Sequence, residues 1–249
     1  MLAPCVEGAD PNDEIDPNQT LKELILSGRG PNTMTLASLN AMREFLQAHP
    51  DSPMLIYGEG QAFSAGLDLD AVINENPQLI SEAIEAAAEA LFLHPAPTIA
   101  AVNGHAIAGG CLLVQACDLR IGQNHPGIKM GMPGVALGIN YPPKLVRILR
   151  YRIPPHTIDR VLLEAANHGP QQALALGLLD ELADDAIAEG RERLAALAAH
   201  PAAAYAEAKM ALRGAVLDIP DAERRRFDER FGAHWNGEAL SSNRRDKNK

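Results

Sequence analysis

Cations, aromatic rings and cysteines are all scarce in this 249-residue chain. It carries 22 Lys and Arg against 32 Asp and Glu, a formal net charge of −10, and an acidic chain lacks the clustered cations that gripping a phosphate backbone requires. Nucleic acid is therefore not an expected partner. Aromatic residues make up only 4% of the chain, so the core must be built mainly from aliphatic side chains. The three cysteines, Cys5, Cys111 and Cys117, have no paired ligand or redox spacing. No group of His, Asp or Glu has metal-ligand spacing either, so no metal site is expected. The glycines at 58, 60 and 66 do not form a dinucleotide or P-loop pattern, and no nucleotide redox cofactor is implied. No stretch reads as a membrane span, and the first ten residues lack the positive segment and apolar run of a secretion signal. These absences fit a soluble protein in a reducing cytoplasm, with no membrane partner.

What the chain has is aliphatic and alternating. With 47% hydrophobic residues it is long enough to bury one substantial core. Leu21-Lys22-Glu23-Leu24-Ile25-Leu26 and Met54-Leu55-Ile56-Tyr57 read as strands, and the segment 36–48 between them reads as a helix. In that segment Leu36, Leu39, Met42, Phe45 and Leu46 share one side, with Thr35 as its N-cap. A longer helix carries Leu79, Ile80, Ala83, Ile84, Ala87, Ala88 and Leu91 at helical spacing and stops before His94-Pro95-Ala96-Pro97. The strand 98–102 follows. From about residue 183 the pattern is helical over 186–199, 201–217 and 220–235, with Pro201 and Pro220 at helix starts. Strands alternating with helices predict an α/β core. The chain divides into an acidic, proline-punctuated arm (1–19), a core (20–182), a helical C-terminal region (183–238) and a polar tail (239–249).

Two glycine turns carry the chemistry. Gly58-Glu59-Gly60-Gln61-Ala62-Phe63-Ser64-Ala65-Gly66-Leu67-Asp68-Leu69 and Val102-Asn103-Gly104-His105-Ala106-Ile107-Ala108-Gly109-Gly110-Cys111 each read as a strand, a glycine turn and a helix start. Such a turn leaves backbone N–H groups without intrahelical partners. Two of them can grip one oxygen. An oxygen gaining negative charge, such as a thioester carbonyl becoming an enolate, is stabilised by preorganised donors and by the positive end of a helix dipole.

Both segments resemble the signature of the crotonase family, also called the enoyl-CoA hydratase/isomerase family. The likeness rests on 62–69 and 101–111 in the family's order and spacing. It extends through Pro97-Thr98-Ile99-Ala100-Ala101, Cys117-Asp118-Leu119-Arg120-Ile121 and Ala173-Leu174-Ala175-Leu176-Gly177-Leu178-Leu179-Asp180. The resemblance implies a spiral of strand–strand–helix repeats with a helical C-terminal region. It implies oxyanion donors at the N–H groups of Leu67 and Gly109, an acyl-CoA thioester as ligand, and coenzyme A only as part of that substrate. Ser64, Ala65, Gly66, Asp68, Leu69 and Gly110 would surround the thioester. The family's two catalytic glutamates would stand at Leu112 and at Gly134, and both are missing. Neither replacement can activate water or deliver a proton. Isomerisation, C–C cleavage or thioester hydrolysis is therefore expected ahead of ordinary hydration; the alternative is a non-catalytic acyl-CoA-binding or regulatory protein of the same fold.

Other residues carry paired readings. Ser64 would bond either the pantetheine arm or its own turn, and Asp68 and Asp70 would cap a helix or act in catalysis. His105 would tie the turn, or titrate beside the thioester. Cys111 would pack, or react. Asn140 and Tyr141, in the loop after Gly138, are candidate replacements for the lost acid or base, or the opening of the next helix. A basic patch for coenzyme A phosphates would draw on Lys144, Arg147, Arg150, Arg152, Lys209, Arg213 and Arg224-Arg225-Arg226, each otherwise a solvated helix face. Phe227, Phe231 and Trp235 repeat at helical spacing and form an apolar stripe. It would meet neighbouring subunits in a homotrimer or dimer of trimers, as the resemblance implies, or fold back on its own core.

Overall fold

A computed structural model describes residues 21–74 and 76–234; the N-terminal arm, the polar tail and Trp235 lie outside them. The chain runs through β1 (Lys22–Leu26), a short helical turn α1 (Arg29–Asn32), α2 (Leu36–Ala48), β2 (Met54–Gly58), β3 (Ala62–Ser64), α3 (Leu69–Asn74) and α4 (Pro77–Phe92). The middle comprises β4 (Thr98–Val102), β5 (His105–Ile107), α5 (Gly109–Ala116), β6 (Leu119–Gln123), β7 (Met130–Gly131), a 3-10 turn (Pro133–Leu137), α6 (Pro143–Arg152), α7 (Ile158–Leu163), β8 (Asn167–His168), α8 (Pro170–Ala175) and β9 (Glu181–Ala183). Three helices close the described chain: α9 (Ala186–Ala198), α10 (Ala202–Arg213) and α11 (Asp221–His234).

The strands form two sheets, β1-β2-β4-β6-β9 and β3-β5-β7-β8. Every pair in the first is parallel; in the second only β7 and β8 run antiparallel. Successive strand pairs split between the sheets: β2 and β3, β4 and β5, β6 and β7 each place one strand in each. That is the expected spiral of strand–strand–helix repeats. The central strand β4 is buried throughout, as a parallel strand covered on both faces must be. Alternate side chains face opposite ways. Leu55, Ile99, Ala101 and Ile121 pack with Ala186 and Leu194 of α9, while Ile56, Ala100 and Val102 enter the main core with Leu91 and Phe92 of α4.

Local signals account for the helix starts. Thr35 caps α2 in a reciprocal capping box with Ser38, satisfying two otherwise orphaned groups. Asn76 accepts from Gln78 N–H and Pro77 occupies the first turn of α4, where its missing donor costs nothing. The helix α10 is held by buried charge. Lys209 Nζ lies 2.6 Å from Asp118 Oδ2 and Arg213 Nη1 lies 2.8 Å from Oδ1, with all three side chains under 10% exposed. Tyr205 also donates to Asp118 (2.9 Å). These groups are spent inside the fold, so Lys209 and Arg213 do not form a surface patch for phosphates. Arg152 is likewise turned inward, donating to the Asp118 carbonyl (2.9 Å).

The described part of the aromatic stripe, Phe227 and Phe231, folds back on its own chain. Phe227 and Phe231 are buried in a cluster with Val72 and Ile80, with Leu36, Leu67 and Ile139 packed against it. An edge contact joins the two rings (centroids 5.7 Å apart). Ion pairs fasten the same helix, Arg224 to Glu85 (2.8 Å) and Glu223 to Arg147 (2.7 Å). The stripe therefore lends no argument for a subunit contact. No helix among the described residues is long and apolar enough to cross a membrane.

Candidate active site

The first turn is shaped by a two-sided clamp. Met34 N–H donates to the Gly66 carbonyl and Asp68 N–H donates to the Met34 carbonyl, both at 2.8 Å, so the bridge uses the groups on either side of Leu67 and bypasses its N–H. Gly66 sits at φ +90°, where a side chain is strained. The second turn is fixed from both ends as well. Ala108 N–H donates to the Gly131 carbonyl (2.9 Å), and the Ala108 carbonyl accepts the N–H of Leu112 (2.9 Å) as the first bond of α5. Gly109, the first residue of that helix, keeps its N–H out of the helical ladder. Among the described residues neither the Leu67 nor the Gly109 N–H has an acceptor.

The two turns lie against each other. A Cβ built on Gly109 would stand 3.6 Å from Leu67 N and 3.4 Å from Gly66 Cα, and one built on Gly66 would stand 2.8 Å from Gly109 N. Leu67 and Gly109 open together on a cavity of about 420 Å³, walled by aliphatic side chains that include Val72, Ile84, Ile107, Leu112, Met132 and Leu145. Ala65, Asp68 and Leu69 also line it. Two free donors facing an apolar space are worth more than the same donors in water.

Ser64 takes the second of its two readings and Gly110 is a correction. Ser64 is fully buried; its hydroxyl donates to the Asn32 carbonyl (2.7 Å) and accepts from Gly66 N–H in its own turn (3.1 Å), and it does not line the cavity. Gly110 is buried too, and a side chain there would collide with the Ser64 carbonyl; it lets α5 approach β3 and does not line the cavity. Asn140 is also outside the cavity wall, whereas Tyr141 forms part of it.

The polar side chains in the wall are few, and most are occupied. Asp68 accepts from Asp70 N–H (2.9 Å) and Ala71 N–H (3.2 Å), capping α3 as expected. The Ala71 bond leads the contacts that hold its carboxyl below the usual range, which makes it a poor base. Asp70 pairs with Arg29 at 3.5 Å across exposed side chains. The Tyr141 hydroxyl donates to the Met132 carbonyl (3.1 Å) and accepts from Gly134 N–H (2.9 Å); burial pushes its pKa up to about 12. Of its two readings, a proton donor to substrate or a structural residue before the next helix, these bonds favour the second, since Tyr141 commits its proton to the backbone. It also fills the space beside Gly134, where an added Cβ would collide with the hydroxyl and lie 2.7 Å from Cζ.

Residues outside the wall resolve simply. His105 Nδ1 accepts from Lys129 N–H (3.0 Å), tying β5 to the segment before β7. Cys111 is wholly buried, and burial pushes its thiol up to about 12, so it packs. The remaining basic candidates are largely paired, Lys144 with Glu89 (2.6 Å), Arg147 with Glu223 and Arg224 with Glu85. Among the described residues no group of three His, Cys, Asp or Glu is placed to hold a metal ion. The sequence reading missed the segment 29–33. Asn32, at φ +56°, donates to the Glu59 and Ala62 carbonyls (2.9 and 2.7 Å) and so holds the strand leading into the first turn. Its signal was Gly30-Pro31-Asn32, a turn sequence that also admits a left-handed residue.

Fold and site together define a strand–strand–helix spiral in which two adjoining turns, each with a backbone N–H that has no acceptor among the described residues, border one apolar cavity. The chain belongs to the enoyl-CoA hydratase/isomerase family, whose model matches residues 20–238. It is similar to the "Enoyl-CoA hydratase domain-containing protein 3, mitochondrial" of Rattus norvegicus, 30% identical over 167 residues, which cover 60% of this chain and 54% of that protein. A "Probable enoyl-CoA hydratase" of Bacillus subtilis (strain 168) is 35% identical over 154 residues, covering 59% and 57%. The solved structure of Pseudomonas aeruginosa DspI matches with a TM-score of 0.72 at 25% identity, covering 85% of this chain and 91% of that one. The chain spans about half the length of the first two.

Proposed function

We propose that the protein binds an acyl-CoA thioester with its carbonyl oxygen between the N–H groups of Leu67 and Gly109, polarising the thioester and stabilising an enolate or tetrahedral oxyanion. The observation that carries this reading is the pair of acceptor-free N–H groups opening on an aliphatic cavity. Coenzyme A enters as part of the substrate, with no separate cofactor. Ordinary hydration is outside the reading. Leu112 and Gly134 hold no carboxylate, Asp68 is consumed in capping and Tyr141 in a backbone bridge. The reading favours isomerisation, C–C cleavage or thioester hydrolysis, in which solvent or the substrate itself carries the proton.

A second reading, a binding protein without turnover, is favoured by one observation: the Tyr141 hydroxyl has both its proton and an acceptor site occupied by backbone. A screen of acyl-CoA thioesters against the purified protein, following binding and product by mass spectrometry, separates the two. Product from any thioester supports the enzyme, tight binding without product the binding protein, and no binding at all ends both. A short trans-2-enoyl-CoA should be hydrated at least ~10²-fold more slowly than by a hydratase with both carboxylates, since each lost acid or base costs ~10²–10⁴-fold. A homotrimer or dimer of trimers in the cytoplasm completes the proposal, carried by family membership alone; light scattering showing a single-chain mass across dilution would remove it.

A further inference from the structure

One of three non-glycine residues with positive φ among the described residues sits at the hole itself. Ala108 adopts φ +51°, ψ −116°, a region that glycine enters freely and an L side chain enters only at a cost. Nothing lets it relax. Its N–H is held by the Gly131 carbonyl and its carbonyl by Leu112 N–H, and these two bonds fix the peptide plane that carries the Gly109 N–H. A glycine would hold the same two bonds without strain. The methyl group is thus the one part of residue 108 that the backbone geometry does not require, and Ala108 lines the cavity. It also closes on the first turn, 3.2 Å from where a Cβ on Gly66 would be. The methyl is wedged between the two turns that present the donors.

A carbonyl oxygen seated in the hole fixes what lies next to it. The carbonyl carbon is about 1.2 Å beyond the oxygen and the α-carbon about 1.5 Å further, so a branch on the α-carbon stays close to the two turns, where Ala108 lines the cavity. The sulfur side of a thioester bears no branch. Beyond Ala108 the wall continues with Ile107 and Leu112 from the same strand–helix turn, an aliphatic surface suited to an acyl chain. Resting on the thioester reading, we propose that Ala108 is a specificity-determining residue, whose side chain restricts the hole to acyl groups unbranched at the α-carbon.

Titration calorimetry with butanoyl-CoA and 2-methylbutanoyl-CoA tests this on the full chain and on Ala108→Gly and Ala108→Ser. The wild type should bind the unbranched thioester about tenfold more tightly, the usual lower bound for one misfitting carbon in an apolar site. Ala108→Gly should reduce that ratio below about threefold by gaining affinity for the branched ligand, and Ala108→Ser should keep it. Circular dichroism establishes that each variant is folded. Equal affinities in the wild type, or a ratio unmoved by glycine, overturn the role of Ala108 while leaving the thioester reading intact. Failure of the wild type to bind either ligand overturns the role of Ala108, and the thioester reading falls with it only if the wider thioester screen also finds no ligand.

Discussion

Replacing Tyr141 with phenylalanine removes one oxygen and leaves the ring in place, so its effect isolates the hydroxyl. That oxygen bridges two backbone groups, the Met132 carbonyl and the Gly134 N–H, at 3.1 and 2.9 Å. Both residues are buried, and water cannot readily take over. A buried polar group that loses its partner costs about 1–3 kcal/mol, and in a chain of this length each 1 kcal/mol lowers Tm by roughly 2–4 °C. Tyr141→Phe should therefore melt several degrees lower by calorimetry. Its affinity for the best thioester in the screen, and any turnover, should stay within about threefold of wild type, because the hydroxyl proton points to Met132 and not to substrate. The decisive comparison is between the two readouts. A variant that melts like wild type but loses tenfold or more in turnover, with KM unchanged, would refute the backbone-bridge account and make the hydroxyl the missing acid.

Gly109→Pro deletes one donor and should abolish any turnover, since a lost oxyanion donor costs on the order of 3 kcal/mol in the transition state; full activity in a variant folded by circular dichroism would acquit Gly109. Alkaline pH should destabilise the fold. Burial raises Cys111 and Cys117 from 9 to about 12 and Tyr141 from 10 to about 12, so the unfolded chain releases these protons first and stability is lost as pH rises from about 9 towards 12. Tyr205 and Tyr57, also raised from 10, add to the fall, while Lys209, lowered by burial to about 8, and Arg152, lowered by burial to about 10, work the other way; five groups against two leave a net fall, measurable as a declining urea midpoint between pH 9 and 11. The same burial predicts that Cys111 and Cys117 resist iodoacetamide in the native protein at pH 8, and peptide mapping that finds either alkylated before unfolding would contradict it.

How much of this was legible in sequence depended on the length of the signal. The helix over 36–48, its Thr35 cap and the strand over 98–102 emerge at the expected bounds, because several aliphatic positions at regular spacing and a hydroxyl at the start all point the same way. Strands β7 and β8 have two residues each, too few for any period to show. In the site, the Leu67 and Gly109 N–H groups follow from glycine turns, a local feature. What Ser64, Lys209 and Tyr141 do was not legible, since each is decided by a partner far along the chain or by the turn's own backbone: Asn32 for Ser64, Asp118 for Lys209, Met132 and Gly134 for Tyr141. Ala108 shows the same limit from the other side. Alanine is the least conspicuous residue in the alphabet, and only its φ reveals it.

Leu67 does two things at once: it lines the cavity with an N–H that has no acceptor among the described residues, and it packs against the cluster built on Phe227 and Phe231. During synthesis the two donor turns leave the ribosome together with most of the spiral, but the rings that brace Leu67 follow Gly109 by about 120 residues, on the order of ten seconds at ordinary elongation rates. Until then the first turn has its clamp from Met34 and no backing from α11. A nascent chain would carry both glycine turns well before it could hold them steady, so on the proposed function ligand affinity should be a late acquisition that arrives with the phenylalanines.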